Sequence, residues 1–472
     1  MNKILLIKDL RLMLKDLKFQ IFFLILVALF ILSAVSGAIA HKSHSENFQK
    51  ALNQHHDEIF DGTSTQLIRM LDTHVANLRV VPRPSPADLF SSYRAFPTKV
   101  YSIPTYYQPI LGNIDLELQG SFQLNWYFIL GILSGLFMLI LSFETISREK
   151  SAGTLRLLSI YGFKRQAILW HKYVGYMLLY LVIIIPPALV SMVLFFGLTG
   201  TWSLFFMLRF LIIIMLSLPF ASFFILLGIF LSMSKNSRNT IVMVLFVWLL
   251  FLIIIPQSAN IIAKQIKPLK TTKEYTELRN DAWLTEYYVW IAEYGDSVIL
   301  LVDLPAGFRA RAVDASVEKM NQAYQTELQE ALAQTKLIQN IASISPFMQF
   351  ERISEIVFDK GLYLLNFMEE TAKSSVSQIR NLMIEQDSRD ETSLNLFYSW
   401  AVYENNMVAH LGKKTFSEEL FEHPDLLFVS EIITDDVAQK IVKIMIRLLP
   451  ILLLNMLLIV VSVVRFERLD IR

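Results

Sequence analysis

The sequence contains no cysteine, so neither a disulfide scaffold nor a thiolate metal site can form in this chain. It also lacks the phosphate-binding loop G-x-x-x-x-G-K-[ST], since the closest string, from Gly412 to Thr415, has no upstream glycine. The nucleophile elbow G-x-S-x-G, the zinc-binding pattern H-E-x-x-H and a basic patch interleaved with aromatic residues are missing as well. We therefore expect no catalytic residue, no cofactor bound by this chain and no nucleic-acid partner.

What the sequence has in excess is apolar residues. Hydrophobic residues make up 54% of the chain, and 34 of its residues are phenylalanine. This is too apolar for an ordinary soluble protein of 472 residues, while 18% charged residues is too many for a chain that is wholly embedded in lipid. The composition indicates a membrane protein with substantial polar segments.

Six long apolar runs are predicted to cross a hydrocarbon core of roughly 30 Å as helices. These predicted spans are residues 19–40, 122–143, 173–198, 204–233, 241–262 and 442–464. Residues 1–18 alternate apolar and charged positions in a helical pattern, which is typical of an interfacial amphipathic helix. The sequence therefore predicts an all-α polytopic membrane protein with an N-terminal interfacial helix.

The segments between the spans differ in length and in charge. Residues 1–18, 144–172, 235–238 and 465–472 hold sixteen Lys or Arg and six Asp or Glu, whereas 41–121 and 263–447 hold 26 and 36. Short basic loops on one side satisfy the positive-inside bias. We expect both termini and 144–172 to be cytoplasmic, and 41–121 and 263–441 to form two extracytoplasmic domains, the larger of them mainly helical.

The stretch 144–172 has its own internal order. Glu144 and Glu149 lie among basic residues, Gly153 and Thr154 interrupt the polarity, and three leucines follow, namely Leu155, Leu157 and Leu158. A short helix of this kind cannot cross a bilayer, but it can lie along the membrane face and offer its leucines to a soluble partner. The alternative is a solvated basic loop without a partner.

The order Glu144, Glu149, Gly153, Thr154 and Leu155, between an apolar run and the string Trp-His-Lys-Tyr at 170–173, resembles the first cytoplasmic loop of ABC type-2 exporter permeases. In that family a coupling helix of this loop sits in a groove of the ATPase subunit. The resemblance implies that Glu144 and Glu149 orient the loop. It also implies that the residues from Gly153 onward dock, namely Gly153, Thr154, Leu155, Leu157 and Leu158. Simpler members of the family have short outer loops, so this chain resembles a branch with enlarged extracytoplasmic domains.

Further partners follow from the same resemblance. It implies two cytoplasmic ABC ATPase subunits, which would bind ATP and Mg, and a second permease, either an identical chain or a paralogue, in a bacterial inner membrane. The large outer segments add an extracytoplasmic protein as a partner, beside membrane lipids, and leave export and force transmission both open. The alternative function is a non-transporting receptor or scaffold whose helical outer domain binds a ligand.

Two further sets of residues are candidates for a site. Arg209 lies inside the fourth apolar run, where its stem can snorkel to the outer interface, and a contact with substrate or a gating role is the alternative. The histidines His41, His44, His55 and His56 are weak candidates for a metal site because pairs of them can share a helix face. Since no further ligand is fixed by spacing, solvated helix residues are the simpler interpretation, and we expect no metal.

Overall fold

The computed structural model describes residues 3–60, 77–80, 85–89, 99–102, 124–161, 164–234, 237–294, 306–361 and 437–469. Within these ranges the regular secondary structure is helical except for one antiparallel pair of short strands, β1 (Asn77–Val80) and β2 (Lys99–Ser102), in which Asn77 lies opposite Ser102. The predicted all-α polytopic fold is confirmed. The strand pair is an addition that the hydrophobic periodicity did not indicate.

Fourteen α-helices form this described part. In chain order they are α1 (Lys3–Leu14), α2 (Leu17–Phe60), α3 (Ser134–Ser142), α4 (Thr145–Ser151), α5 (Thr154–Ile160), α6 (Arg165–Thr199), α7 (Leu204–Leu216), α8 (Leu218–Ser232), α9 (Ser237–Leu249), α10 (Ile255–Ile266), α11 (Thr272–Tyr294), α12 (Ala306–Ala342), α13 (Pro346–Phe358) and α14 (Val437–Glu467). Two π-helical segments precede α3 and α10, namely Phe128–Leu133 and Leu250–Ile254. A short 3₁₀ turn covers Pro86–Leu89.

Among the described residues, six helical stretches are long and apolar enough to cross a membrane, as the sequence predicts. They are span 1 (Leu17–Asn47), span 2 (Phe128–Ser151), span 3 (Arg165–Thr199), span 4 (Leu204–Ser232), span 5 (Thr240–Ile266) and span 6 (Lys440–Glu467). Span 1 belongs to the 44-residue helix α2, which continues to Phe60 without a break. The first twenty residues of the predicted outer segment 41–121 are thus a direct helical extension of span 1.

Aromatic side chains join the spans into one core. The ring of Trp126 lies 5.4 Å from Phe30 of span 1 and 4.9 Å from Phe210 of span 4, in edge-to-face geometry, and its Nε1 donates a hydrogen bond to Ser191 Oγ at 3.0 Å. Tyr180 donates to Ser217 Oγ at 2.8 Å, where span 4 breaks between α7 and α8. In an apolar solvent a buried polar tip needs such a partner, so these bonds fix how the helices face one another.

The helix α13 is packed among the spans. Phe347 stacks on Phe224 with ring centroids 5.0 Å apart, and Phe350 meets Phe220 at 5.0 Å. Since Phe224 lies 20 residues after the first residue of span 4, the contact is roughly 30 Å along that helix at 1.5 Å per residue. The pair α12 and α13 therefore turns back deep inside the bundle, with its turn at 343–345.

This insertion is not evident from the sequence, which assigns 263–441 as a whole to an outer domain. The thirteen residues of α13 are too few to cross a bilayer and include Glu351, Arg352 and Glu355, so no apolar run marks them. Only the packing of the phenylalanines against spans 2 and 4 reveals that α13 is buried. We call α12 and α13 with their turn the inserted hairpin.

The two π-helical segments both border the inserted hairpin. Ser345 Oγ donates to the carbonyl of Phe251, inside the second π segment, at 2.6 Å. In the first π segment Gly131 lets a ring approach, because a Cβ built there would lie 2.8 Å from Phe350 Cδ1. A π-helical segment shifts backbone hydrogen bonds out of the α pattern, and here the hairpin supplies partners and fills the space.

Candidate functional site

The sequence-predicted loop forms two short helices joined at a turn, which we call the elbow (residues 145–160). α4 ends at Ser151, and Gly153 has φ +73°, a left-handed conformation that favours glycine. The amide of Gly153 donates to Lys150 O at 3.1 Å, and Thr154 Oγ1 donates to Glu149 O at 3.1 Å. Gly153 and Thr154 therefore make the turn itself, and both lie on the exposed side of it.

One face of the elbow is buried against the bundle. Leu155 is fully buried (0% exposed), Leu158 is partly buried against the same core, and Ile146 is buried with its amide donating to Ser232 Oγ of span 4 at 3.4 Å. Thr145 Oγ1 donates to Tyr176 OH of span 3 at 2.8 Å. The elbow is therefore held against spans 3 and 4 by apolar packing and hydrogen bonds.

Ion pairs hold the elbow to the N-terminal helix and to span 3. Lys172, which is 6% exposed, pairs with Glu149 of α4 and with Asp9 of α1, the latter at 2.8 Å. Glu144 accepts from Lys18 Nζ at 2.7 Å. Since the pair at Glu144 is half exposed it contributes little, whereas the buried lysine between two carboxylates depends on both of them. Both predicted orienting residues, Glu144 and Glu149, thus contact α1, α2 or α6.

The opposite face of the elbow is exposed and apolar, with a basic border. Leu157 is 54% exposed, Ile160 is 71% exposed and Tyr161 is 78% exposed. Lys150 and Arg156 are exposed beside them. Of the predicted docking leucines only Leu157 lies on this face, while Leu155 and Leu158 point into the bundle. The spacing 157, 160 and 161 is that of one helix face, so the helical period of α5 could have identified Ile160 and Tyr161.

Arg165, the first residue of α6, ties the start of span 3 to the end of α14. Arg165 Nη1 donates to the carbonyls of Glu467 at 2.6 Å and of Leu469 at 3.1 Å, and Gln166 Nε2 donates to Glu467 Oε1 at 2.8 Å. The last carbonyls of a helix have no intrahelical donor, so an arginine there satisfies them and matches the helix dipole. α1, the elbow and the end of span 6 therefore meet at one end of the bundle, the elbow end.

Arg209 lies toward the other end and is not free to snorkel. Its guanidinium pairs with Asp359 at 2.8 Å and stacks over the ring of Phe205, 4.2 Å from the centroid. Asp359 also pairs with Lys440 at the start of span 6, and it terminates α13 with φ +53°. One buried carboxylate thus joins span 4, the inserted hairpin and span 6. This gives Arg209 a structural partner that the sequence did not reveal.

The candidate histidines do not come together as a metal site within the described residues. His41 is buried, and its ring lies 5.9 Å from that of Phe195 of span 3, edge on. His44, one turn further, is partly exposed. His55 and His56 lie further along α2, where the side chains are outside the described part of the structure. In the described ranges no three residues among histidine, aspartate and glutamate are arranged to hold an ion.

Comparison with known proteins adds one finding. A family model described as ABC-2 family transporter protein matches residues 4–471, which is nearly the whole chain. No curated protein and no solved structure matches.

Proposed function

The chain belongs to the ABC-2 family of transporter proteins and is a permease subunit of an ABC transporter, and from this premise we propose that a separate ATPase subunit docks on the exposed face of the elbow. That subunit binds ATP and Mg, and its closure moves the elbow. The permease works as a dimer, with an identical chain or a paralogue, on two ATPase subunits.

The observation that carries this proposal is the two-sided character of the elbow. Its outer face offers Leu157, Ile160 and Tyr161, large apolar side chains that are more than half exposed at the polar end of a membrane bundle. Exposed apolar side chains with a charged border are typical of a surface that a partner covers. Its inner face is fixed to the bundle, so that a push on the outer face reaches the spans.

The route of that push follows the contacts of the elbow. Glu149 acts on α1 and span 3 through Lys172. Ile146 acts on span 4 through Ser232. Span 3 in turn acts on the end of span 6 through its first residue, Arg165. Since four elements move with the elbow, closure of the ATPase would rotate them together. ATPase closure would thus shift the whole bundle from one of its two conformations to the other.

The orientation in the membrane completes the proposal. The elbow end carries the short basic segments, so the positive-inside bias puts it, with both termini, in the cytoplasm of a bacterial inner membrane. The long acidic segments then face outward. Their size suits export, or transmission of force, that involves an extracytoplasmic protein. A receptor or scaffold that binds a ligand on its outer helices is the rival function.

The test is purification of the full chain from native membranes in mild detergent, followed by identification of co-purifying proteins and an ATPase assay. We expect a P-loop ATPase in stoichiometric amount. The variant Leu157→Asp places a charge on the docking face and should reduce the recovered ATPase at least severalfold without changing the amount of inserted permease.

The matched control is Leu278→Asp on α11. This leucine is also exposed, at 44%, but lies in the outer helical segment. It should leave ATPase recovery unchanged. If the wild-type chain purifies without an ATPase, or if both leucine variants retain it equally, the proposed docking on the elbow is wrong. The result would then favour the receptor function.

A further inference from the structure

The inserted hairpin carries a buried cation that has no hydrogen-bond partner among the described residues. Arg352 on α13 is 5% exposed, and its Nε, Nη1 and Nη2 atoms have no hydrogen-bond acceptor among the described residues. A buried guanidinium can donate five hydrogen bonds and remains charged, so leaving all of them unmade is strongly unfavourable. Inside a membrane bundle an ionisable residue of this kind marks a functional site by default.

Other unpaired polar atoms lie on and beside the same helix. Gln349 is 2% exposed and lies one turn before Arg352. Its amide nitrogen donates to the Ser343 carbonyl, whereas its Oε1 accepts no hydrogen bond from any described residue. Trp248 of span 5 has an unpaired Nε1, and its ring meets that of Phe347 edge on at 6.4 Å. Around α13 the described bundle therefore presents unused donors together with one unused acceptor.

The charges near Arg352 do not neutralise it by hydrogen bonds. Arg447 of span 6 lies near enough to repel it, and Glu351 and Glu355 of α13 itself attract it. The carboxylate of Glu355 is directed toward the outer end of α13, since a Cβ built at Gly361 would lie 2.2 Å from it. The next carboxylate toward that end, that of Asp359, already forms ion pairs with Arg209 and Lys440.

Helix register places Arg352 and Arg447 at the same depth. Asp359 and Lys440 are in contact where α13 ends and span 6 begins, and the two helices pack antiparallel. Arg352 is seven residues back from Asp359, and Arg447 is seven residues on from Lys440, so each lies roughly 10 Å deeper along its helix. The two arginines therefore face the same level of the bundle.

We propose that Arg352, Arg447 and Gln349 form a binding site for an oxyanion, a carboxylate or phosphate group, between the inserted hairpin and span 6. A planar guanidinium matches the two oxygens of such a group, and the second arginine compensates any negative charge that the first leaves unbalanced. Gln349 Oε1 accepts from a hydroxyl or amine next to the anionic group. The site lies beside a turn of non-spanning helix deep in the bundle, the kind of backbone that lines binding sites in transporters.

The site proposal is independent of ATPase docking, because it rests on buried polar residues of α13 and span 6 and on no residue of the elbow. Its test uses the full chain in a non-ionic detergent, with the thermal unfolding midpoint followed by tryptophan fluorescence. The soluble probes are inorganic phosphate and acetate, compared with chloride at equal ionic strength. The lipid probe is phosphatidylglycerol in mixed micelles, compared with phosphatidylcholine.

We expect an anion-dependent rise of the midpoint in the wild-type chain, which is lost in Arg352→Met and reduced in Arg352→Lys, because lysine keeps the charge without the fork. Without anion, Arg352→Met should unfold at a higher temperature than the wild type, since it removes an uncompensated buried charge. A merely structural arginine would give the opposite sign.

The control is Arg279→Met on α11. Arg279 is partly buried and paired with Glu327 of α12 at 2.5 Å. Its loss should lower the midpoint and leave the anion response intact.

A response to the soluble anions assigns the site to a soluble ligand, and a response to phosphatidylglycerol alone assigns it to a lipid headgroup. The proposal is overturned if neither probe raises the midpoint. It is also overturned if Arg352→Met responds as the wild type does, or if the anion-free variant unfolds earlier.

Discussion

At the scale of single residues, Gly153 shows how one backbone conformation shapes the elbow. It sits at φ +73° with no atom near enough to contact an added Cβ, so substitution there is limited by backbone strain and not by space. Asparagine tolerates this conformation, whereas a β-branched residue does not. Substitutions at Gly153 therefore test the effect of backbone strain without steric clash from the added side chain.

We predict that Gly153→Val destabilises the turn by about 1–2 kcal/mol and lowers ATPase recovery, while Gly153→Asn does neither to the same degree. Recovery is measured by co-purification and stability by thermal unfolding. Gly200, at φ +70° and equally open, caps α6 at the far end of the bundle. Gly200→Val should cost similar stability and leave ATPase recovery unchanged. Equal loss of recovery in both valine variants would show that the elbow turn has no special role.

At the scale of elements, the inserted hairpin depends on close approach to span 2. Gly131 lies in a π-helical segment, where the ring of Phe350 occupies the space of its missing side chain. The sequence gives no reason to single out this glycine. The ring that fills the space is more than 200 residues away in the chain, and only the packing brings the two together.

We predict that Gly131→Ala lowers the free energy of unfolding by about 1–3 kcal/mol, because the new Cβ would lie 2.8 Å from a ring in a packed core. The measurement is thermal or denaturant unfolding in detergent. Gly197→Ala is the control, since Gly197 lies inside α6 with nothing within 4 Å of an added Cβ. Alanine there should be neutral or stabilising because it favours the helix. If Gly131→Ala is as stable as Gly197→Ala, the hairpin does not pack on span 2 as described.

At the scale of the whole molecule, two ends of the bundle are held differently. The elbow end is closed by ion pairs and a helix cap between α1, the elbow, span 3 and span 6. The other end is closed by Asp359, which follows the last residue of α13 and pairs with span 4 and span 6. Span 4 contacts both the elbow, through Ser232, and the end of the hairpin, through Arg209, so the proposed movement of the elbow would reach the hairpin through span 4.

The orientation and the insertion can be tested together by cysteine labelling, because the chain has no cysteine of its own. With a membrane-impermeant maleimide on intact cells we predict that Lys273→Cys on α11 is labelled and that Arg156→Cys on α5 is labelled only after permeabilisation. Ile344→Cys at the turn of the hairpin should be protected in both conditions and react only in detergent. Labelling of Arg156→Cys in intact cells would reverse the topology, and labelling of Ile344→Cys there would place the hairpin turn outside the membrane.

The sequence by itself determined the six spans and the helical class, since both follow from the length and apolarity of local runs. It also located the elbow, because two glutamates and a Gly-Thr-Leu string mark it within one short segment. It did not show which leucines of the elbow face the bundle. Leu155 and Leu158 belong to the core, whereas Ile160 and Tyr161 are exposed, and the choice of face depends on what α5 packs against.

Only the tertiary structure decided where the polar residues find partners. Arg209 pairs with Asp359, Lys172 pairs with Asp9, and Arg352 has no hydrogen-bond partner among the described residues. Each of these outcomes depends on residues more than a hundred positions apart or on the absence of any acceptor nearby. Local sequence fixes which segments a membrane accepts, because transfer free energy is summed residue by residue. The pairing of buried charges is fixed by how the helices pack, because it depends on distances of a few ångströms between separate segments.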